Sequence, residues 1–336
     1  MVITKKQHPE PAMKAAIINQ YGTSQELYVT DVPEPDVDTH DVLIRVHVAG
    51  INPVDTKVRE GAMKLMLSGD FPKTLGAECA GVIKEVGLMV TDLQPGDRVV
   101  ASVGIAGGGY AEYAVAKRKN VVKLPDEVSF EQAAALPVAA LTALQSLREK
   151  GHLRPGDTVL INGASGGVGT FAVQLARVLG GQITAVCSAD NEALVRQLGA
   201  DHVIDYHTTD FAKQPEHYQV IFDAVGKSSF DECRNVLTGN GTYITTVPSP
   251  KQILEQVTTI FTSQKAESIV ASFNQEDITW LLKQVANGQL KTIIDRTYQL
   301  DEITQAHDYS ESGKVKGKLL LTLVAEGQAV TSHSES

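Results

Sequence analysis

The hydrophobic pattern of the first part of the chain predicts short strands. Residues 41–48 (Asp-Val-Leu-Ile-Arg-Val-His-Val) alternate between apolar and polar, which is typical of a half-buried strand. Residues 80–87 form another mainly apolar run that ends in glycine, and a Pro-Gly-Asp turn at 95–97 precedes a third run. Several short strands separated by turns predict a β-barrel over about the first 135 residues.

Beyond that point, short apolar runs alternate with helical periodicity. The run at 157–162 suits a buried parallel strand, and an amphipathic segment at 171–179 follows it as a predicted helix. The same pair of elements recurs at 183–187 and 191–198. This alternation predicts an α/β domain with a doubly wound parallel sheet. Two later apolar runs, 292–294 and 318–324, again have β character and are expected to rejoin the first domain.

Composition and charge narrow the class of protein. The 336 residues are 43% hydrophobic and 21% charged, as in globular proteins, and 30 basic against 40 acidic residues give a net charge of -10. A nucleic-acid binder usually has a basic excess, so we expect no nucleic-acid partner. No apolar run approaches the ~20 residues of a membrane helix, and the first residues lack the apolar core of a secretory signal. We therefore expect a cytoplasmic protein without a membrane partner.

The three cysteines predict free thiols. Cys79, Cys187 and Cys233 are too few and too scattered for a disulfide framework, and no Cys-x-x-Cys pair occurs. Such cysteines are typical of buried thiols in a reducing compartment.

A glycine-rich loop is the strongest local indication of a ligand. Residues 161–169 (Ile-Asn-Gly-Ala-Ser-Gly-Gly-Val-Gly) follow a predicted strand and open a predicted helix. A pyrophosphate binds backbone N–H groups at such a helix start. Gly166 would allow its close approach, Gly169 would let the helix pack on the strand, and Ala164 stands at the first glycine of the G-x-G-x-x-G fingerprint. The alternative is a glycine-rich turn that binds nothing.

The end of the second predicted strand favours NADP over NAD. An NAD site usually has an acidic residue about 20 residues after the loop, which binds the ribose hydroxyls. Residues 185–188 (Ala-Val-Cys-Ser) contain no acid, and Asp190 comes two residues later. The missing charge leaves room for the NADP phosphate, although no arginine lies in this turn to bind it.

Several short motifs follow one another in a specific order and spacing, among them Ala-Gly-Ile-Asn-Pro-Val-Asp at 49–55, Pro-Gly-Asp-Arg-Val at 95–99, Gly-Tyr-Ala-Glu-Tyr at 109–113 and Leu-Gly-Ala-Asp at 198–201. Together they resemble one family, the zinc-free quinone oxidoreductase subgroup of the medium-chain dehydrogenase/reductases. The resemblance implies a GroES-like β-barrel catalytic domain and a Rossmann doubly wound parallel-sheet nucleotide-binding domain. It assigns 13–137 and 288–324 to the first domain, 138–287 to the second, and 1–12 and 325–336 to flexible ends.

The resemblance also identifies the positions where the related zinc alcohol dehydrogenases bind their metal. Those enzymes have a cysteine where this chain has Asn52, a histidine at Ala77, and a second cysteine or an aspartate near Ala139. None of these three residues binds zinc usefully, and the four-cysteine loop of the structural zinc is missing. We therefore expect no metal site.

Without zinc, a substrate that accepts hydride readily is favoured. The expected function is NADPH-dependent hydride transfer to quinones or α,β-unsaturated carbonyls by a homodimer. The alternatives are an aldehyde or enoyl-thioester reductase and a nucleotide-binding protein with little catalysis. Asn52 would donate to the substrate oxygen, and the ammonium group of Lys57 could act there too. By resemblance, Lys57 would instead reach the cofactor phosphate, Thr142 would contact the nicotinamide and Tyr206 the ribose phosphate. The predicted NADP(H)-binding residues are Ala164, Ser165, Gly166, Gly167, Val168, Ser188, Tyr206 and Val247.

Overall fold

A computed structural model of the chain describes residues 12–67, 70–247 and 250–323. These residues form two units. The first contains the described residues of 12–135 together with 296–313 and 319–323, and the second contains the described residues of 136–295 together with 314–318. The predicted flexible ends lie outside the described residues, except that Ala12 begins the first strand.

The first part of the chain supplies the first unit with short strands, as predicted. β1 lies between β2 and β4 in a three-stranded antiparallel sheet. β3 pairs antiparallel with both β5 and β7 in a second, larger sheet. The elements are β1 (Ala12–Ile18), β2 (Tyr28–Pro33), β3 (Asp41–Ile51), α1 (Pro53–Arg59), β4 (Lys73–Thr74), β5 (Glu78–Val86), β6 (Arg98–Ser102), β7 (Tyr113–Lys117), β8 (Val121–Lys123) and α2 (Phe130–Ala134).

The structure corrects the prediction that the strand at 41–48 is half-buried. β3 runs from Asp41 to Ile51 and is buried on both faces over most of its length. The reason is its central place in the larger sheet and its contact with helix α2.

The second unit is a parallel sheet with helices, as the alternating pattern predicted. Its strand order is β11-β10-β9-β12-β13-β14, so the order reverses direction between β9 and β12. Ligands bind at the carboxyl ends of the strands at such a switch point. The elements are α3 (Leu141–Gln145), β9 (Thr158–Asn162), α4 (Gly167–Val178), β10 (Gln182–Cys187), α5 (Glu192–Leu198), β11 (His202–Asp205), β12 (Tyr218–Asp223), α6 (Phe230–Cys233), β13 (Leu237–Thr245), α7 (Pro250–Thr258), β14 (Lys265–Ser268) and α8 (Gln275–Ala286).

The end of the chain returns to the larger sheet of the first unit. β15 (Ile294–Gln299), α9 (Ile303–Glu311) and β16 (Lys318–Thr322) follow in sequence, and β16 pairs antiparallel with β3. The sheet order is β15-β16-β3-β5-β6-β8, with β7 also on β3. The strand predicted at 292–294 begins at Ile294 and continues to Gln299.

Within the described ranges, no helix is both long enough and apolar enough to cross a bilayer.

Candidate functional site

The glycine-rich loop joins β9 to the start of α4 and presents backbone N–H groups. The first intrahelical bond of α4 runs from the N–H of Thr170 to the carbonyl of Gly166, at 2.9 Å. The N–H groups of residues 167–169 therefore precede the first bond of the helix, where an anion is stabilised. A Cβ added to Gly166 would meet only the Gly163 carbonyl oxygen, at 3.5 Å, so this side of the loop is open. The loop therefore fits a pyrophosphate.

The closed side of the loop explains the last glycine of the motif. A Cβ on Gly169 would lie 2.1 Å from the Gly163 carbonyl oxygen and 2.7 Å from the Cα of Ala164. The helix can approach the strand this closely only because residue 169 has no side chain. Ala164 is fully buried, and its N–H donates to the Val186 carbonyl at 3.0 Å. Ala164 thus anchors the loop on β10, and a contact of Ala164 with the cofactor stays a prediction.

The loops that follow β9, β12 and β13 contact one another in series. A Cβ on Gly163 would lie 2.4 Å from Cγ1 of Val225, which follows β12. A Cβ on Gly226 would lie 2.6 Å from the Cβ of Val247, which follows β13. Val247, predicted to bind the cofactor, is therefore two contacts away from the glycine loop along the carboxyl edge of the sheet.

The side chain of Asp223, which ends β12, organises this edge. Its fully buried carboxylate accepts hydrogen bonds on Oδ1 from the Asn162 amide and from the backbone N–H groups of Val225 and Gly226, at 2.9–3.1 Å. Its Oδ2 accepts from the Ser228 N–H and hydroxyl, both at 2.7 Å, and from the Tyr243 hydroxyl at 3.2 Å. Sequence reasoning missed this residue, because its partners come from three separate strands and loops.

Two predicted cofactor residues come together at the end of β10. Asn191 donates from Nδ2 to Ser165 Oγ at 3.0 Å and to Ser188 Oγ at 3.1 Å, so the glycine loop and the strand end are linked. Tyr206 directly follows Asp205, the last residue of β11, which lies opposite Cys187 in the sheet. The backbone N–H of Tyr206 donates to the Cys187 carbonyl at 3.3 Å. The ring of Tyr206 is exposed, and the pairing of Asp205 with Cys187 places Tyr206 at the same sheet edge as Ser188.

In the first unit, Asn52 lies at the start of α1, and its side-chain amide is hydrogen-bonded to a buried carboxylate. Its backbone N–H donates to Asp55 Oδ2 at 2.8 Å, and its Nδ2 donates to Glu78 Oε1, also at 2.8 Å. Glu78 is fully buried, opposite Gly50 in the pairing of β3 with β5. The donation of Asn52 to a substrate oxygen stays a prediction, and Glu78 is the residue that orients the amide.

A buried network extends from Asp55. The hydroxyl of Tyr110 donates to Asp55 Oδ2 at 2.9 Å, and burial, followed by the charge of Asp55, raises the pKa of this tyrosine well above its usual value. Tyr110 is fully buried, and its hydroxyl hydrogen is directed at Asp55. His307 lies edge-on to its ring, and His307 Nδ1 accepts from Arg59 Nη1 at 3.2 Å, because a guanidinium can only donate. Burial, then the charge of Arg59, lowers the pKa of His307 to about 3.

Lys57 and Thr142 are the other two residues predicted to be catalytic, and their roles stay predictions. Lys57 is exposed on α1. Thr142 lies in α3, where its hydroxyl donates to the Val138 carbonyl at 2.7 Å. Thr142 Oγ1 is thus left to accept a hydrogen bond rather than to donate one. Asn52 and Lys57 belong to the first unit, whereas Thr142 and all the predicted cofactor residues belong to the second.

The residues at the positions of the zinc ligands do not fit zinc. Ala77 and Ala139 carry no donor atom, and the amide of Asn52 is bonded to Glu78. Cys79 is fully buried, and burial raises the pKa of its thiol to about 12, which disfavours a thiolate. Among the described residues, no three His, Cys, Asp or Glu side chains are grouped to hold a metal ion.

Comparison with known proteins identifies the family. The chain is 34% identical over 322 residues to the chloroplast envelope quinone oxidoreductase homolog of Arabidopsis thaliana, an alignment that covers 92% of this chain and 98% of that protein. The chain belongs to the medium-chain dehydrogenase/reductase family. Within this family of nicotinamide-dependent dehydrogenases it is a member of the quinone oxidoreductase subgroup, and it is an oxidoreductase. A family model described as the alcohol dehydrogenase GroES-like domain matches residues 38–126, and one described as zinc-binding dehydrogenase matches residues 198–321.

Solved structures of the family agree with this fold. The quinone oxidoreductase from Coxiella burnetii matches with a TM-score of 0.88 and 33% identity, over 94% of this chain and 100% of that chain. The quinone oxidoreductase of Escherichia coli, solved in complex with NADPH, matches with a TM-score of 0.79 and 25% identity, over 92% of this chain and 100% of that chain.

Proposed function

We propose that this protein reduces quinones or α,β-unsaturated carbonyls with NADPH, without zinc. The observation that carries the proposal is the side chain at position 52. Where the zinc enzymes of the family have a metal-binding cysteine, this chain has an amide that donates to the buried Glu78. A neutral amide held by a carboxylate offers hydrogen bonding to a substrate oxygen, and it lacks the thiolate or imidazole that binds zinc in this kind of site.

The choice of substrate class follows from this chemistry. Oxidation of an alcohol near neutral pH needs an alkoxide, which zinc provides by lowering the pKa of the hydroxyl. A conjugated carbonyl accepts hydride without such activation and needs donors for the oxygen on which charge develops. When bound, NADPH supplies the hydride. We assign to Asn52 the hydrogen bond to the substrate oxygen, while Glu78 fixes the orientation of its amide.

The second unit is proposed to hold NADP(H) along the carboxyl edge of its sheet. The N–H groups of residues 167–169 would bind the pyrophosphate, and Ser188 would lie beside the adenosine ribose, where a carboxylate would repel a phosphate. Thr142, whose hydroxyl hydrogen is used within its helix, would accept from the carboxamide of the nicotinamide. The NADPH in the E. coli structure supports the choice, and exposed Asp190 keeps the expected preference over NADH modest.

A homodimer is proposed on the basis of an apolar surface in the second unit. Ile253, Leu254 and Val257 on α7 are exposed, and Phe261, just beyond α7, is 95% exposed. α7 packs beside β14, the edge strand of the sheet. Exposed apolar side chains beside the last strand of a sheet are suited to contact with a second copy of the chain. The cytoplasmic location expected from the sequence stays a prediction.

The test is a substrate panel combined with metal analysis. The purified protein is assayed for NADPH oxidation with simple quinones, enones and aldehydes, before and after treatment with a chelator. We expect turnover with quinones or enones, unchanged by the chelator, and less than about a tenth of a zinc ion per chain. Turnover confined to aldehydes, or about one zinc per chain with activity lost on chelation, would contradict the proposal. No NADPH oxidation with any acceptor would favour a nucleotide-binding role.

A further inference from the structure

We propose that Asn191 is a positioning residue that turns the hydroxyls of Ser165 and Ser188 into two donors for the 2′-phosphate of the cofactor. This inference rests on the proposed function and names a residue that the glycine motif does not include. The observation behind it is the pair of bonds from Asn191 Nδ2, 3.0 Å to Ser165 Oγ and 3.1 Å to Ser188 Oγ.

The side chain of Asn191 does not cap its helix, although Asn191 is at the N-cap position. Asn191 is the N-cap of α5, where an asparagine side chain normally accepts a hydrogen bond from the first turn of the helix. No such bond forms here. Moreover, Asn191 Oδ1 is buried and has no hydrogen-bond partner within the described residues. A buried carbonyl without a partner is unfavourable, so the amide orientation is determined by the two serines.

The direction of these bonds decides what the serines can do. An amide nitrogen has hydrogens and no acceptor, so both serine oxygens must accept from it. Each hydroxyl hydrogen then points away from Asn191, and within the described ranges neither has an acceptor. Rotation of the amide by 180° would instead let Oδ1 take both hydroxyl hydrogens and would leave two N–H groups without partners. The observed orientation is the better one, and it leaves two donors for a ligand.

Two converging hydroxyl donors suit a group that only accepts hydrogen bonds. A phosphate monoester is such a group, and a charge-assisted bond to it is stronger than a neutral one. Ser188 directly follows β10, where the adenosine ribose lies in this type of domain, and Ser165 belongs to the glycine loop. With two hydroxyl donors, the phosphate could be bound without an arginine in this turn, where the sequence has none.

Binding of two nucleotide fragments tests the proposal without catalysis. 2′,5′-ADP and 5′-AMP differ only in the 2′-phosphate, and their affinities are measured by isothermal titration. Ser188→Ala should weaken 2′,5′-ADP by roughly ten- to a hundredfold, the loss of one charge-assisted bond. Asn191→Ala, which frees the hydroxyls to rotate, should weaken it by about three- to tenfold. Both variants should change 5′-AMP affinity by about twofold or less.

A double-mutant cycle separates positioning from general damage. If Asn191 acts through the serines, Asn191→Ala should have almost no further effect on 2′,5′-ADP binding in a Ser165→Ala/Ser188→Ala background. Asn274→Ala is the matched control, because Asn274 is another N-cap of the same unit and accepts from the N–H of Asp277 at 3.1 Å. It should lower the unfolding temperature and leave the ratio of the two affinities unchanged.

The outcomes are distinct. Equal losses for 2′,5′-ADP and 5′-AMP in Asn191→Ala, or an undiminished effect in the serine-free background, would overturn the proposal. If 2′,5′-ADP binds as expected and no acceptor is reduced, the proposed function fails and the role of Asn191 stands. If quinones are reduced with NADPH while the two fragments bind alike, the role of Asn191 fails and hydride transfer stands.

Discussion

Gly166→Val separates a glycine loop that binds a nucleotide from a glycine loop that only turns the chain. The backbone at Gly166 is extended, with φ -80° and ψ -179°, a conformation that valine adopts without strain. A Cβ at this position would make one ordinary contact, 3.5 Å from the Gly163 carbonyl oxygen. We therefore expect the free energy of unfolding to change by about 0.5 kcal/mol or less.

Binding should respond very differently. The branched side chain would occupy the space in front of the N–H groups of residues 167–169, so the pyrophosphate would have to move away. Charge-assisted hydrogen bonds contribute about 1.5–3 kcal/mol each. Because 1.4 kcal/mol corresponds to a factor of ten, the loss of one bond weakens NADPH binding at least about tenfold. The loss of two bonds at about 2 kcal/mol each weakens it about a thousandfold.

Gly169→Ala is the matched control, with the opposite expectation. Its new methyl group would lie 2.1 Å from the Gly163 carbonyl oxygen, so the start of α4 must move away from the strand end. Overpacking of this kind costs about 1–3 kcal/mol. The smaller substitution should therefore destabilise the protein, whereas the larger one at Gly166 should not.

The assay pairs NADPH fluorescence titration with thermal unfolding for the parent and both variants. Gly166→Val should keep the unfolding temperature and lose affinity, and Gly169→Ala should lower the unfolding temperature. A folded Gly166→Val protein that binds NADPH like the parent would show that the loop is only a turn. The assignment of NADP(H) to this edge would then lose its main support.

Three further predictions follow from the site. Asn52→Ala should leave NADPH affinity within about twofold and reduce turnover at least about tenfold. It should also lower the free energy of unfolding by about 1–3 kcal/mol, because Glu78 loses a donor. An unchanged turnover number would contradict the role of this amide. Ser188→Asp should shift the preference towards NADH, since a carboxylate binds ribose hydroxyls and repels a phosphate; the ratio of the two dissociation constants checks this, and a parent protein that already prefers NADH would refute it. Because the pKa of His307 is lowered from 6.5 to about 3, the unfolded chain binds a proton between these pH values that the folded chain does not, so stability falls as the pH drops through this window. His307→Asn should flatten that dependence by up to about 1.4 kcal/mol per pH unit in urea unfolding series, and an equally steep dependence would contradict it.

Local sequence patterns were sufficient for the elements that depend on local order. The glycine loop, its flanking strand β9 and the helix α4 were predictable, because glycine spacing and apolar runs report directly on a strand–turn–helix unit. α4 nevertheless begins at Gly167, four residues before the predicted start, since the loop glycines themselves form its first turn. α9 was missed, because the buried His307 stands where an apolar residue would have made the helical period visible.

Site features that depend on distant parts of the chain were beyond prediction. The partners of Asp223 lie up to 61 residues away, and nothing near Asp223 in the sequence indicates Asn162. The same holds for Asn191 and Ser165, which lie 26 residues apart. The sequence did predict Ser188 and Ser165 as ligand-binding residues, but the residue that sets the direction of their hydrogen bonds emerges only from the fold.

The carboxylate of Asp223 should make the loop after β12 as resistant to local opening as the sheet itself. Surface loops usually exchange their amide hydrogens with solvent quickly, through local openings of low free energy. Here the N–H groups of Val225, Gly226 and Ser228 end on one buried side chain that also holds the end of β9 through Asn162. Opening the loop therefore requires uncovering a buried charge, so these amides should exchange as slowly as those of the central strands. We therefore expect the edge proposed to hold the nucleotide to be rigid before any ligand arrives, so that little ordering remains to oppose binding.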